Sequence, residues 1–247
     1  MSKVLVVTGA SRGIGAATAK LGAARGYAVC VNYKANHAQA DAMVKDIRAT
    51  GGTAIAVAAD TAQDQDVVRL FEQVDRELGP VTALVNNAGI TGGVSLIENV
   101  QAAMLRELME VNVVGYFLCA REAVKRMSTA RGGKGGAIVN VSSRAAELGG
   151  ANEWIHYAAS RGAVDTMTKG MSIELGKNGI RVNAVQPGII DTDIQSTGLP
   201  GRVEKALANI PLGRVGTPEE VAETILWLLS EQAGYVSGAI VNVSGAR

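Results

Sequence analysis

Short apolar runs rich in β-branched residues alternate along the chain with longer stretches whose apolar positions recur at helical spacing. The runs cover 4–7, 28–32, 54–58, 83–85, 137–141, 181–185 and 239–243. They are nearly unbroken by polar positions, as strands covered on both faces of a parallel sheet must be. The helical stretches include 38–49, 66–78, 104–127, 155–175 and 218–229. Repeated strand–helix units predict a single α/β domain over 1–247, a doubly wound sheet of seven parallel strands with right-handed crossovers.

Two stretches depart from this pattern. The glycine-rich 131–136 lacks the residue order of a phosphate-binding P-loop and is read as a flexible connection. The segment 189–211 is long for a connection and follows the sixth strand, where an α/β sheet places its ligands; it is expected to form a substrate lid.

Composition narrows the classes. Lys plus Arg number 24 against 23 Asp plus Glu, a net charge of +1, which gives no electrostatic reason for a nucleic-acid or anionic-membrane partner. The apolar stretch at the start is too short for the core of a secretory signal, and no run approaches the ~18 apolar residues of a membrane-spanning helix. Cys30 and Cys119 lie far apart with no His beside them, which suits two buried free thiols in a reducing compartment. A cytoplasmic chain without a metal site is expected. His37 and His156 have no partner at metal-ligand spacing and are read as structural or exposed.

The chemistry begins where the first strand runs into Thr8-Gly9-Ala10-Ser11-Arg12-Gly13-Ile14-Gly15 and then a helix. Glycines 9, 13 and 15 fall where the chain turns tightly and its backbone approaches a ligand. The helix N-terminus that follows favours a pyrophosphate. Asn86-Asn87-Ala88-Gly89 follows the fourth strand. Asp60, Asn112, Val141-Ser142-Ser143, Tyr157-Ala158-Ala159-Ser160-Arg161 and Pro187-Gly188-Ile189-Ile190-Asp191-Thr192 come later.

In this order and spacing the motifs resemble the short-chain dehydrogenase/reductase family over nearly the whole chain, with bacterial 3-oxoacyl-carrier-protein reductases and glucose dehydrogenases among the nearest look-alikes. The resemblance implies a Rossmann fold and an oxidoreductase that acts on a small carbonyl or alcohol substrate. It implies a homotetramer, with the helices of Asn112 and Tyr157 at one interface and the last strand near another. Asn112, Ser143, Tyr157 and Arg161 align with the catalytic positions. Gly9, Ser11, Arg12, Gly13, Ile14, Gly15, Asn32, Asp60, Thr61, Asn87, Gly89, Tyr157, Arg161, Ile190 and Thr192 align with cofactor contacts. Asn86 is expected to brace the sheet instead.

Physical chemistry agrees with these roles. Carbonyl reduction needs a proton donor within hydrogen-bond reach of the carbonyl oxygen. A free phenol titrates near ~10, so a tyrosine acid/base needs a cation beside it. Residue 161 lies four positions after Tyr157, on the same helical face. A hydroxyl on Ser143 would polarise the substrate oxygen. Ser142 and Ser143 alternate in direction if the strand continues, so one of the two is structural.

Cofactor choice follows from the second strand, which ends Asn32-Tyr33-Lys34. An acid there would hold ribose hydroxyls and repel a 2′-phosphate. None is present, and Arg12 offers a guanidinium suited to phosphate, so NADP(H) is favoured over NAD(H). One position departs from the family: its Tyr-x-x-x-Lys motif reads Tyr157 to Arg161 here. Arginine keeps the charge but is planar, bulkier and never deprotonated. The chain is thus expected to turn over more slowly than an Arg161→Lys variant. The alternative is an NADP(H)-binding protein with little catalysis. The substrate's identity and the direction of reaction are not legible.

Overall fold

The computed structural model describes residues 3–247. The first half of the chain contributes β1 (Lys3–Val7), α1 (Gly13–Ala24), β2 (Tyr27–Tyr33), α2 (His37–Ala49), β3 (Thr53–Ala58), α3 (Asp64–Glu77), β4 (Ala83–Asn86), α4 (Ala102–Met109) and α5 (Gly115–Met127). The second half contributes β5 (Gly136–Val141), α6 (Ala145–Leu148), α7 (Ile155–Leu175), β6 (Ile180–Pro187), α8 (Arg202–Leu207), α9 (Pro218–Leu229) and β7 (Ile240–Val243). All seven strands pair in parallel in the order β3-β2-β1-β4-β5-β6-β7.

The unbroken apolar strands serve two cores. In β1, Leu5 and Val7 face one layer with Ala19 of α1, Ile47 of α2 and Ile225 of α9. Val4 and Val6 face the other layer with Phe71 of α3, Tyr116 and Cys119 of α5 and Val164 of α7. Full burial of one such side chain contributes about 1.5–3 kcal/mol, so a strand buried on both faces is held twice over. The helix of 218–229 begins where expected, at a capping box. Thr217 accepts the backbone N–H of Glu220 at 3.3 Å, and the Glu220 carboxylate accepts that of Thr217 at 2.8 Å. Among the described residues, no helix is long and apolar enough to cross a membrane.

Two stretches refine the sequence reading. The helical stretch 104–127 is broken by a π turn, Glu110–Val114, between α4 and α5, around the Asn112 that the family resemblance implies disturbs the helix. The buried Asn112 side chain at its centre donates to the carbonyl of Ile90 at 2.8 Å and accepts its N–H at 2.9 Å. Those bonds to a neighbouring loop favour the wider turn. The segment 189–211 is not wholly irregular, because it contains a 3-10 turn, Asp193–Thr197, and the short helix α8.

Strand order reverses between β1 and β4, whose carboxyl ends therefore diverge into a crevice. The turns after those two strands carry the glycine octapeptide and the Asn86–Gly89 stretch.

Candidate active site

The turn after β1 requires glycine. Gly9 and Gly13 have φ of +61° and +56°, values that side chains with a Cβ rarely adopt. A Cβ on Gly15 would lie 2.5 Å from Nδ2 of Asn87 and 2.6 Å from the carbonyl of Gly9. Asn87 braces this turn by donating to the carbonyls of Thr8 and Gly9 at 2.9 and 3.1 Å. Asn32, buried at the end of β2, accepts the N–H of Gly9 at 3.3 Å and donates to Val57 and Ala59. Its side chain therefore acts on the turn. Asn86 donates to Asn140 across the sheet at 3.0 Å, the bracing role expected of it.

A cavity of about 770 Å³ follows the carboxyl ends of the strands. Its lining includes Gly9, Ser11, Arg12, Gly13, Ile14, Asn32, Asp60, Thr61, Asn87 and Gly89 together with Ser143, Tyr157, Arg161, Ile190 and Thr192. Gly15 and Asn112 are not among the lining residues. Its volume and the glycine cradle, which a Cβ would fill, fit a dinucleotide. Tyr33, Lys34 and Asn36 also line it, although sequence reasoning gave them no role. The signal for Lys34 was available: a cation directly after the second strand.

The two cations nearest the β2 end carry anionic partners. Arg12 pairs with Asp193 at 3.2 Å, and Lys34 with Asp60 at 2.8 Å. Both cationic side chains are more than half exposed, so these pairs are weak and exchangeable. The other Asp60 oxygen accepts the N–H of Ala62 at 3.0 Å.

β5 ends at Val141, and the two serines that follow diverge. Ser142 is buried and donates to the carbonyl of Arg161 at 3.2 Å, which makes it the structural member of the pair. Ser143 lines the cavity, and its oxygen accepts the N–H of Ala145 at 3.1 Å, which leaves its own proton free to donate. Tyr157 and Arg161 lie one helical turn apart on α7, both buried, with the guanidinium carbon 5.0 Å from the Tyr157 ring centroid. Nη1 of Arg161 donates to the Tyr116 hydroxyl at 2.9 Å and to the Val141 carbonyl at 3.0 Å. Nη2 lies against Gly89, while the buried Nε has no hydrogen-bond partner among the described residues. Burial opposes the charge, yet the phenol oxygens of Tyr116 and Tyr157 hold the Arg161 pKa above its ordinary value.

The segment 189–211, expected to form a lid, is joined to the start of α7. Arg202 donates to Glu153 at 2.8 Å, and its guanidinium carbon lies 4.3 Å from the centroid of the Trp154 ring, which meets the Tyr157 ring edge-to-face with centroids 5.8 Å apart. Thr192 packs on Gly13, and Ile190 forms an isolated bridge with Gly216. His156 is structural: its Nε2 bonds the carbonyls of Thr91 and Gly93 at 2.9 and 3.1 Å. His37 is exposed and pairs with Asp41 and the Tyr33 hydroxyl. Cys30 and Cys119 are buried free thiols, and burial pushes Cys119 up to about 12.

A doubly wound sheet with a glycine turn at its switch point, and a Ser, Tyr and Arg set along the same trough, defines a class of nucleotide-dependent oxidoreductases. The chain belongs to the short-chain dehydrogenase/reductase family. The family model described as enoyl-(acyl carrier protein) reductase matches residues 9–245. The uncharacterized oxidoreductase YgfF of Escherichia coli K12 is 48% identical over 245 residues, 99% of either chain. A blue fluorescent protein from a metagenomic library, solved in complex with NADPH, is 35% identical, with TM-score 0.90 over 99% of this chain and 97% of that one. A 7α-hydroxysteroid dehydrogenase, solved with NADH and 7-oxo glycochenodeoxycholic acid, is 35% identical, with TM-score 0.92 over 98% of this chain and 93% of that one.

Proposed function

We propose that this chain is an NADP(H)-dependent reductase or dehydrogenase that moves hydride between the nicotinamide and a carbonyl or alcohol carbon. The observation that carries the reading is the fixed Arg161 guanidinium 5.0 Å from the Tyr157 ring, on the cavity wall that also bears Ser143. The bound nicotinamide supplies or accepts hydride, and the protein manages the oxygen. Ser143 donates a hydrogen bond to the carbonyl oxygen and keeps its proton. The Tyr157 hydroxyl delivers the one proton that the oxygen takes up as the carbon gains hydride. The permanent charge of Arg161 stabilises the phenol oxygen left behind.

The cofactor's groups distribute along the trough. Gly9, Ser11, Gly13, Ile14 and Gly15 would cradle the pyrophosphate at the start of α1, and Asn32 would shape that cradle. Asp60 and Thr61 would hold the adenine, Asn87 and Gly89 would line the trough, and Ile190 and Thr192 would hold the carboxamide. Arg12, joined by Lys34, would hold a 2′-phosphate, which favours NADP(H). Asn112 shapes a proton relay from the π turn. Residues 189–211 cover the substrate.

Exposed Phe117 and Ile173 on the helices after Asn112 and Tyr157, and Tyr235 before β7, supply apolar surface for a homotetramer. Two buried free thiols suit the cytoplasm.

The test is NADPH oxidation against ketones, diketones, aldoses and acyl thioesters, with wild type beside Arg161→Lys. Turnover by wild type supports the reading, whereas turnover only by the lysine variant would mean that the pocket is intact and that Arg161 silences the chemistry. NADPH binding without turnover in both, across the whole panel, would overturn it.

A further inference from the structure

Tyr116 lies one residue into α5 and outside the cavity, and none of the family's motifs reach it. Its ring packs in the apolar layer with Phe71 and Cys119. It is 1% exposed, so its hydroxyl must find partners within the protein. That hydroxyl donates to the carbonyl of Val141 at 3.0 Å and accepts Nη1–H of Arg161 at 2.9 Å. Arg161 also donates to the same carbonyl at 3.0 Å. The three groups close a triangle that joins α5, α7 and the end of β5 directly below Ser142 and Ser143.

A guanidinium needs such an anchor more than an ammonium does. It is planar and carries five N–H donors in a fixed fork, so its rotation decides what each nitrogen meets. Among the described residues no carboxylate pairs with Arg161, and the Tyr116 hydroxyl accepts from its Nη1 at 2.9 Å. Burial holds the Tyr116 phenol above its ordinary pKa, so the hydroxyl keeps the proton that it gives to Val141.

We propose that Tyr116 is the positioning residue of Arg161, fixing the guanidinium plane so that it faces Tyr157 and the trough wall at Gly89. The proposal deepens the reading of the site as a reductase. A lysine at this position would present one compact, freely rotating ammonium and would not depend on this anchor.

The experiment compares Tyr116→Phe in two backgrounds, wild type and Arg161→Lys, by steady-state kinetics and by NADPH fluorescence titration. In the wild-type background kcat is expected to fall roughly tenfold, the loss of one hydrogen bond to a charged group, with KM for the carbonyl changed less than about twofold. NADPH binding is expected to weaken in the same background. In the Arg161→Lys background, both quantities should change less than about twofold. Equal losses in the two backgrounds, or no loss in either, would overturn the proposal, because a purely structural phenol does not distinguish Arg from Lys.

Folding is also informative. If Tyr116→Phe folds only alongside Arg161→Lys, the unpaired buried guanidinium is the cause and the pairing stands. If neither background folds, Tyr116 is structural and the proposal fails. The titration separates this proposal from the reductase reading. Background-dependent NADPH binding without turnover in any variant would support the anchor and overturn the reductase.

Discussion

Nη2 of Arg161 occupies the space that a side chain on Gly89 would need. The glycine of the Asn86–Gly89 stretch is thus set by the arginine beside it. An alanine there meets Nη2 of a guanidinium whose Nη1 is held by Tyr116 and Val141, while Oδ1 of Asn112 lies 3.2 Å from the added carbon. Overpacking of this kind costs about 1–3 kcal/mol. Gly89→Ala should lower the melting temperature and weaken NADPH binding. Adding Arg161→Lys should restore much of both. Calorimetry and fluorescence titration of the two chains decide it, and an unrelieved defect in the double variant would place the clash elsewhere.

The arginine also bears on turnover. It keeps a positive charge by Tyr157 but cannot take part in proton exchange as a lysine can. General acid–base steps contribute ~10²–10⁴ to rate, and Arg161→Lys is expected to recover roughly tenfold of that in kcat. The check is single-turnover NADPH oxidation, in which product release has no part. A lysine variant no faster than wild type would mean that the guanidinium is fully competent.

The proposed preference for NADP(H) rests on exposed cations. Among the described residues Arg12 pairs with Asp193 and Lys34 with Asp60, in pairs that water and salt weaken. A 2′-phosphate can displace such partners and gain charge-assisted bonds. Arg12→Ala should weaken NADPH binding by roughly tenfold, with NADH binding nearly unchanged, and the difference should shrink at high salt. Equal losses for both cofactors would assign Arg12 to the shared pyrophosphate.

Much of this fold was legible because β1 and most of β2 and β5 are apolar on both faces, and periodicity cannot hide such runs. The π turn was not legible as periodicity, since 104–127 keeps helical spacing throughout. It arises from the bonds of Asn112 to Ile90, 22 residues away in sequence. Ser142 and Ser143 are equivalent by composition; the family resemblance singles out Ser143, and what each oxygen meets gives the physical difference. Tyr116 was invisible for the same reason: an aromatic in a helix reads as core, and its hydroxyl matters only once Val141 and Arg161 stand beside it.

Acid should act on the start of α9. Arg214 and the capping bond to Thr217 hold the Glu220 carboxyl at about 2, below its ordinary 4.5. A depressed carboxylate contributes stability above the unfolded pKa and loses it as pH falls through the folded one. The contribution is therefore present at neutral pH and disappears between pH 4.5 and about 2. Glu220→Gln keeps the capping geometry without the charge. Its melting temperature should lie below that of wild type at pH 7, and the two should converge at the acid end of that window. A gap that persists there would assign the effect to packing.

The proposed lid offers a separate test, because Arg202 joins 189–211 to the start of α7 by two interactions of different kinds. The ion pair with Glu153 is largely shielded from water, and the stacking on Trp154 is a cation–π contact worth ~0.5–2 kcal/mol. Trp154 in turn packs edge-to-face with Tyr157. Opening this segment therefore means losing both of these partners of Arg202 and loosening the ring beside Tyr157, the proposed proton donor. Arg202→Met keeps an apolar stem over Trp154 but removes both charge interactions. It should raise KM for the carbonyl several-fold with a smaller change in kcat, and expose 189–211 to thermolysin at Leu199 or Leu207, both already on the surface. Glu153→Gln keeps the stacking and should show a weaker version of the same pattern. A fall in kcat alone, without faster proteolysis, would mean that Trp154 is held by its own packing and that the lid moves independently of Tyr157.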